Sequence, residues 1–205
     1  MYLYPKPRKK TVMPVDYKAK ILNAAVRVFA SKGYAKTTMS DVAIQAKVGI
    51  GTLYNYFKNK DDLLISCIKK TIDDEIKQVQ DRSSKEEDHM EQLFSFFMHH
   101  ATLVERKPYI ARFLVVELRQ SESFYQRNPS FNPINYYLDY VREIFSDAIS
   151  TGRIKAFNVD ALAYLVVGAM DMVLSQWLIS KETLDIQPLI TSIRQIIREG
   201  VSPKK

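Results

Sequence analysis

The sequence predicts an all-α protein, with an N-terminal three-helix domain containing a helix-turn-helix and a larger C-terminal helical domain. Three observations predict it. Apolar residues recur at three- and four-residue spacing along most of the chain. No stretch alternates with period two for long enough to argue a strand. Two short helical patterns near the N-terminus flank a three-residue turn, Val48-Gly49-Ile50.

Residues 1–15 carry Pro5, Pro7 and Pro14 among lysines and read as a flexible basic arm. Asp16 to Lys32 reads as the first helix, with Ile21, Leu22, Ala25, Val28 and Phe29 on one face and Gly33 as its stop. Thr38 begins the second, because Thr38-Met39-Ser40-Asp41 fits a capping box with Asp41 in the third helical position. Val42, Ala43 and Ala46 form its buried side. Gly51 to about Phe57 makes the third, with Leu53 and Phe57 pointing inward together. Asn59 caps a fourth that places Asp61 and Asp62 in its first turn and runs to about Arg82. Ser83 to Asp88 is a polar break. Further helices are expected at about 85–106, 108–120, 131–151, 158–180 and 186–199. Pro108 suits a first turn, Gly152 ends one helix, and Asn158 or Asp160 begins the next. Residues 121–133, with Asn128-Pro129 and Asn132-Pro133, read as a long loop. The expected division is an arm at 1–15, a helix-turn-helix domain at 16–60 and a helical domain at 61–205.

Composition narrows the function. The chain has 205 residues, 46% hydrophobic and 26% charged, which is enough to bury a core without staples. Cys67 is the single cysteine, so no internal disulfide forms and a reducing compartment is the default. His89, His99 and His100 have no cysteine partners, which argues against a structural zinc. The basic start lacks the apolar segment of a signal peptide. The run Ala161 to Met170 is too short to span a bilayer. A cytoplasmic protein without a membrane partner is expected. Charge is unevenly spread: residues 1–60 hold 12 Lys and Arg against two acids, a net of +10, and the rest hold 18 against 21, a net of −3. A basic head on a slightly acidic body is an electrostatic footprint for a polyanion.

The helix-turn-helix says which polyanion. A helix fits the major groove of DNA while its partner rests on the backbone. Thr38 and Ser40 are small donors at a helix N-terminus. Tyr54 and Tyr56 offer hydroxyls to phosphates, Thr52 can touch a thymine methyl, and Asn55 can reach a base edge or a phosphate. Lys36 and Lys60 bracket the motif as phosphate contacts. An enzyme is not expected, since no nucleophile elbow, phosphate loop or metal-ligand set is present. Cys67 reads as a small buried hydrophobe, and the adjacent His99 and His100 diverge by about 100° on a helix. A helical protein-interaction module is the competing class. Salt-dependent DNA binding separates the two.

The run GYAKTTMSDVAIQAKVGIGTLYNYFKNKDDLL resembles the DNA-binding domain of TetR-family regulators. The carrying residues are Gly33-Tyr34, Thr37-Thr38, Val42-Ala43, Ala46, Val48, Gly51-Thr52-Leu53-Tyr54, Tyr56-Phe57 and Lys60. The resemblance implies a homodimer, paired through the last two long helices, whose recognition helices enter successive major grooves of a palindromic operator. It also implies that the C-terminal domain binds a small effector which changes the separation of the reading heads, usually in a repressor. Carried over with the motif, the DNA-binding set is Lys36, Thr37, Thr38, Ser40, Gly49, Gly51, Thr52, Tyr54, Asn55, Tyr56 and Lys60. Many members carry Lys or Ser where this chain has Ile50, so a backbone contact is expected there.

Val116-Glu117-Leu118-Arg119-Gln120-Ser121, Ser150-Thr151-Gly152-Arg153-Ile154-Lys155 and Trp177 resemble the fatty-acid-degradation repressors within that family. This implies long-chain acyl-CoA as the effector, with no cofactor: the acyl chain lies in an apolar tunnel and basic residues at its mouth meet the phosphates. The expected lining residues are Phe94, Phe97, Tyr109, Phe113, Glu117, Tyr137, Tyr140, Val141, Met170, Val173 and Trp177. A hydrophobic drug or other small apolar effector is the alternative, and a cationic one would need an acid such as Glu117 or Asp171. Glu117 and Arg119 are two apart on a helix, so at most one faces a pocket.

Overall fold

A computed structural model describes residues 16–82, 88–180 and 183–201. The expected basic arm, and the polar break at 83–87, lie outside the described residues. Those described are all-helical, with ten helices and no strand.

The head is built around α1 (Tyr17–Lys36). Asp16 caps it by accepting the Ala19 amide at 3.0 Å, and its inner face buries Ile21, Leu22, Ala25, Val28 and Phe29. Gly33 breaks the helix with φ 74° and ψ 159°, a backbone closed to side-chain-bearing residues. The expected stop is therefore a kink, and one more turn carries the chain to Lys36. The capping box of α2 (Met39–Ala46) is formed in both directions. Thr38 Oγ1 accepts the Asp41 amide at 3.1 Å, and Asp41 Oδ2 accepts the Thr38 amide at 2.9 Å. Lys32 Nζ adds a 2.7 Å ion pair to Asp41, and these donors hold the Asp41 carboxyl down at about 2. Lys47 ends α2 in the left-handed region, φ 52°. The short α3 (Ile50–Tyr56) is anchored by Leu53 and by Phe57 just beyond it, both buried.

The stem between head and body is α4 (Lys60–Arg82), capped by Asn59 Oδ1 accepting the Asp62 amide at 2.8 Å. Leu63, Leu64, Cys67, Ile68, Ile72 and Val79 form its buried stripe. Burial also pushes the Cys67 thiol far up, which makes it inert as a nucleophile. The body comprises α5 (His89–Arg106), α6 (Pro108–Glu117), α7 (Glu122–Arg127), α8 (Ile134–Ser150), α9 (Val159–Ile179) and α10 (Ile186–Val201). Helix α6 packs on α1 and on α5, and α8 packs along α9.

The segment expected as one loop, 121–133, contains α7. Its six residues are too few to show a helical period, and turn residues flank it on both sides. Tertiary packing makes it: Phe124 is fully buried, edge-on to Tyr34 at 5.7 Å and to Phe131 at 6.2 Å. Helix α9 is longer than the apolar run Ala161 to Met170 that it contains. It has 21 residues with a window of mean hydropathy 1.6, long and apolar enough to span a bilayer by those measures alone. One face is core, through Leu162, Ala163, Val166, Val167, Met170, Val173, Leu174 and Trp177. The other leaves Tyr164, Leu165, Met172 and Ile179 exposed, and α10, which touches α9, exposes Leu189 and Ile196.

Candidate nucleic-acid interface and effector cavity

The head exposes polar and cationic side chains along α2, α3 and their flanks. Lys36, Thr38, Ser40, Gly49, Gly51, Tyr54, Asn55 and Tyr56 are exposed, and Thr52 is half-buried at the edge of α3. Tyr54 is 52% exposed and Tyr56 43%, which puts both rings outside the core. A Cβ on Gly51 would meet nothing within 4 Å, and one on Gly49 only the Thr52 hydroxyl at 3.8 Å. Neither glycine is required by the protein interior. Exposed Lys47 and Lys58 extend the basic rim, and sequence reasoning missed both. Their signal was plain charge beside the motif. Ile44 of α2 is 77% exposed and has no expected role.

Two expected DNA contacts are placed elsewhere. The Thr37 side chain is 1% exposed and donates to the Gly33 carbonyl at 2.8 Å, so it ties the kink of α1 and faces away from solvent. Lys60 does not extend outward. Its ammonium donates to the carbonyls of Tyr34 and Thr37, both at 2.9 Å, and sits 4.3 Å from the centre of the Tyr34 ring. The end of α1 leaves carbonyls without helical partners, and a cation at the start of α4 satisfies them.

Lys60 belongs to a joint between head and body. The Tyr34 hydroxyl donates to Asp61, whose carboxylate also accepts from Arg127 at 2.9 Å and Asn128 at 3.1 Å. Desolvation raises the Asp61 carboxyl, but these hydrogen bonds outweigh it and hold the group low. The Tyr34 phenol is pushed up to about 12 by burial and by its bond to Asp61. From the other side, Glu117 at the end of α6 is 1% exposed and accepts the Tyr34 amide at 3.1 Å and the Gln120 amide at 2.7 Å. Burial raises its carboxyl, and those hydrogen bonds only partly offset the effect. Further along the same seam, Phe113 stacks on Phe29 at 6.4 Å and Arg27 lies 4.3 Å over the Tyr109 ring.

Phe113 and Glu117, expected to line an effector pocket, thus hold α6 against α1, and Tyr109 lines a separate polar groove of about 330 Å³ with Asn23, Thr71 and Glu75. The cavity lies on the opposite side of α6. It is bounded by Phe96 and His100 of α5, Leu114 and Val115 of α6 with Leu118 after it, Ile134 and Tyr137 of α8, and Val167, Met170, Asp171 and Leu174 of α9. Of the expected lining residues, Tyr137 and Met170 are there. Phe97, Tyr140, Val141, Val173 and Trp177 are buried core beside it, and Phe94 packs under Arg194 at 4.0 Å. Periodicity marks a residue as inward but not which neighbour it meets, so it cannot separate lining from packing. The free volume is about 40 Å³. Occupied effector pockets are of order 300–1,000 Å³.

The cavity adjoins a groove of about 250 Å³ through Leu118, Ile134, Val167 and Asp171. Arg119 stands at this mouth, ion-paired to Asp171 and donating to the Ser175 hydroxyl at 3.0 Å. Of the pair Glu117 and Arg119, one faces the seam and the other the mouth. A polar cluster lies beyond the inner end. Glu75 of α4, 2% exposed, meets His99 Nε2 at 2.5 Å, and His100 and Tyr137 are the next rings. No group of three or more potential metal ligands occurs among the described residues.

Comparison with known proteins gives this geometry a lineage. Residues 21–67 match the bacterial regulatory proteins of the tetR family, and residues 68–200 match the C-terminal region of YsiA-like proteins. The chain is 29% identical over 185 residues to the fatty acid metabolism regulator protein of Bacillus subtilis (strain 168), covering 90% of this chain and 95% of that one. A crystal structure of the transcriptional regulator FadR from Bacillus subtilis in complex with stearoyl-CoA is similar, with TM-score 0.79 and 29% identity over 89% of this chain and 98% of that one. The fatty acid degradation regulator FadR of Bacillus halodurans shares the fold, with TM-score 0.80 at 24% identity and the same coverage. The chain belongs to the TetR family of bacterial regulatory proteins, with a C-terminal region of the YsiA-like kind.

Proposed function

We propose that this DNA-binding regulator is a homodimeric repressor which leaves a palindromic operator when long-chain acyl-CoA enters its body. The observation that carries the reading is the position of α6. One side of it walls an apolar cavity with Leu114 and Val115, and the other grips α1 through Phe113 and Glu117. A cavity of about 40 Å³ cannot take an acyl chain without widening. Widening moves α6, and α6 moves the joint at Tyr34, Lys60 and Asp61. Because the ligand binds only the widened state, it shifts the population away from the DNA-competent one. At the mouth, Arg119 exchanges Asp171 for a phosphate of the coenzyme. The likeness to a relative solved with stearoyl-CoA supports this ligand class.

In the head, Thr52 and Asn55 read bases, while Lys36, Thr38, Ser40, Tyr54 and Tyr56 anchor phosphates, and the backbone approaches closely at Gly49 and Gly51. The exposed apolar stripe of α9 and α10 is the dimer face. Among the described residues no unengaged acid faces the cavity: Glu117 is turned to the seam and Asp171 is held by Arg119. That disfavours a cationic drug. The test is native mass spectrometry of the purified protein with stearoyl-CoA, followed by operator release in a mobility-shift assay. Binding with release is expected. Absence of both removes the acyl reading and leaves the DNA-binding regulator intact.

A further inference from the structure

The cavity wall is apolar except at Asp171, which Arg119 engages at the mouth, and at one inner corner, where His100 and Tyr137 meet. Their rings are 5.5 Å apart. Tyr137 is 6% exposed, and its hydroxyl is buried with no hydrogen-bond partner among the described residues. It stays protonated, because burial first and then the Glu75 carboxylate push the phenol upward. It is therefore a donor. His100 is the complement. Its Nδ1 lies 2.9 Å from the Phe96 carbonyl, which can only accept, so Nδ1 carries the proton and Nε2 presents a lone pair. Burial keeps this imidazole neutral, lowering it to about 4. The neighbouring Glu75 and His99 are bonded to each other, so among the described residues the unmatched buried atom here is the Tyr137 hydroxyl, a donor beside the lone pair of His100.

A methylene chain passing this corner leaves the Tyr137 hydroxyl unpaired. A carbonyl answers Tyr137 only. A hydroxyl answers both, accepting from Tyr137 and donating to His100 Nε2. We infer that the cavity selects an effector bearing a hydroxyl on its apolar body, a hydroxylated long-chain acyl group. The inference rests on the acyl reading and narrows its ligand class. Sites built to bond a hydroxyl discriminate against the analogue that lacks it, since the buried partners are then left unmatched.

The experiment is calorimetric titration of wild-type protein and Tyr137→Phe with stearoyl-CoA and with hydroxystearoyl-CoA isomers bearing the hydroxyl at different carbons. The variant removes one unpartnered oxygen and keeps the ring, and a thermal melt confirms its fold. At least one isomer should bind the wild type about tenfold more tightly than stearoyl-CoA. Tyr137→Phe should erase that preference and bind stearoyl-CoA at least as well as the wild type. If stearoyl-CoA binds but no isomer is preferred, or the preference survives in Tyr137→Phe, the hydroxyl inference is wrong and the acyl reading stands. If neither stearoyl-CoA nor any isomer binds, both fall.

Discussion

Lys60→Met separates a structural lysine from a DNA-binding one. In the structure its ammonium satisfies two carbonyls at 2.9 Å and lies 4.3 Å from the Tyr34 ring centre. A hydrogen bond from a charged donor contributes about 1.5–3 kcal/mol net, and a cation over a ring about 0.5–1 kcal/mol. Lys60 is half-buried, so solvent screens part of this, and the loss for the site is about 2–3 kcal/mol. For a chain of this size each kcal/mol shifts the melting temperature by about 2–4 °C, which gives a fall of about 4–12 °C. The assay pairs a thermal melt with operator affinity measured across a salt series. Removing a phosphate contact lowers the slope of log affinity against log salt by about 0.9. Lys60→Met should lower the melting temperature and leave that slope alone, and Lys36→Met should do the reverse. A Lys60→Met protein that melts like the wild type and loses a unit of slope would show that Lys60 holds DNA.

Three further outcomes are expected. The Glu117 carboxyl is raised in the fold, so its ionisation opposes folding: the stabilising neutral form is present at low pH and is lost as pH rises through the raised value. Glu117→Gln keeps an acceptor for Tyr34, and it should match or exceed wild-type stability at pH ~8, with the gap closing on acidification. His100 is shifted oppositely, with a folded value of about 4. Its neutral form stabilises above the ordinary histidine range, and that contribution drains away as pH falls toward about 4, so an NMR titration should find the ring neutral at pH ~5.5. Met172→Glu places a charge on the exposed stripe of α9 and should yield monomers by light scattering with an unchanged helical spectrum. A dimer that persists would move the interface elsewhere.

Local chemistry made the head readable. The capping box at Thr38, the inward pair Leu53 and Phe57, and the cap at Asn59 each involve residues within four positions of one another, and each is present as expected. What the sequence hid are contacts over long sequence separations. Lys60 looks like any exposed cation beside a DNA-binding motif until Tyr34, 26 residues earlier, brings its carbonyl to it. Helix α7 exists because Phe124 finds Tyr34 and Arg127 finds Asp61, 66 residues away. The cavity suffered most. Val141 and Met170 read alike as inward apolar residues, but only Met170 lines free space. No pattern in one helix encodes the direction of a gap shared by four.

If the protein is acyl-responsive as proposed, the smallness of that gap sets the sensor's operating point. On the acyl-responsive reading, the form that holds DNA is also the better-packed form, and the effector meets a minority conformation. The apparent dissociation constant is then the intrinsic one divided by the fraction of molecules already open. On that reading, packing around Leu114, Leu118 and Leu174 would fix the metabolite level at which transcription begins, independently of any contact with the coenzyme. Trimming one of these side chains lowers that level, and filling the remaining volume raises it. Regulators of this build can thus be recalibrated by core substitutions while the operator and the ligand stay the same.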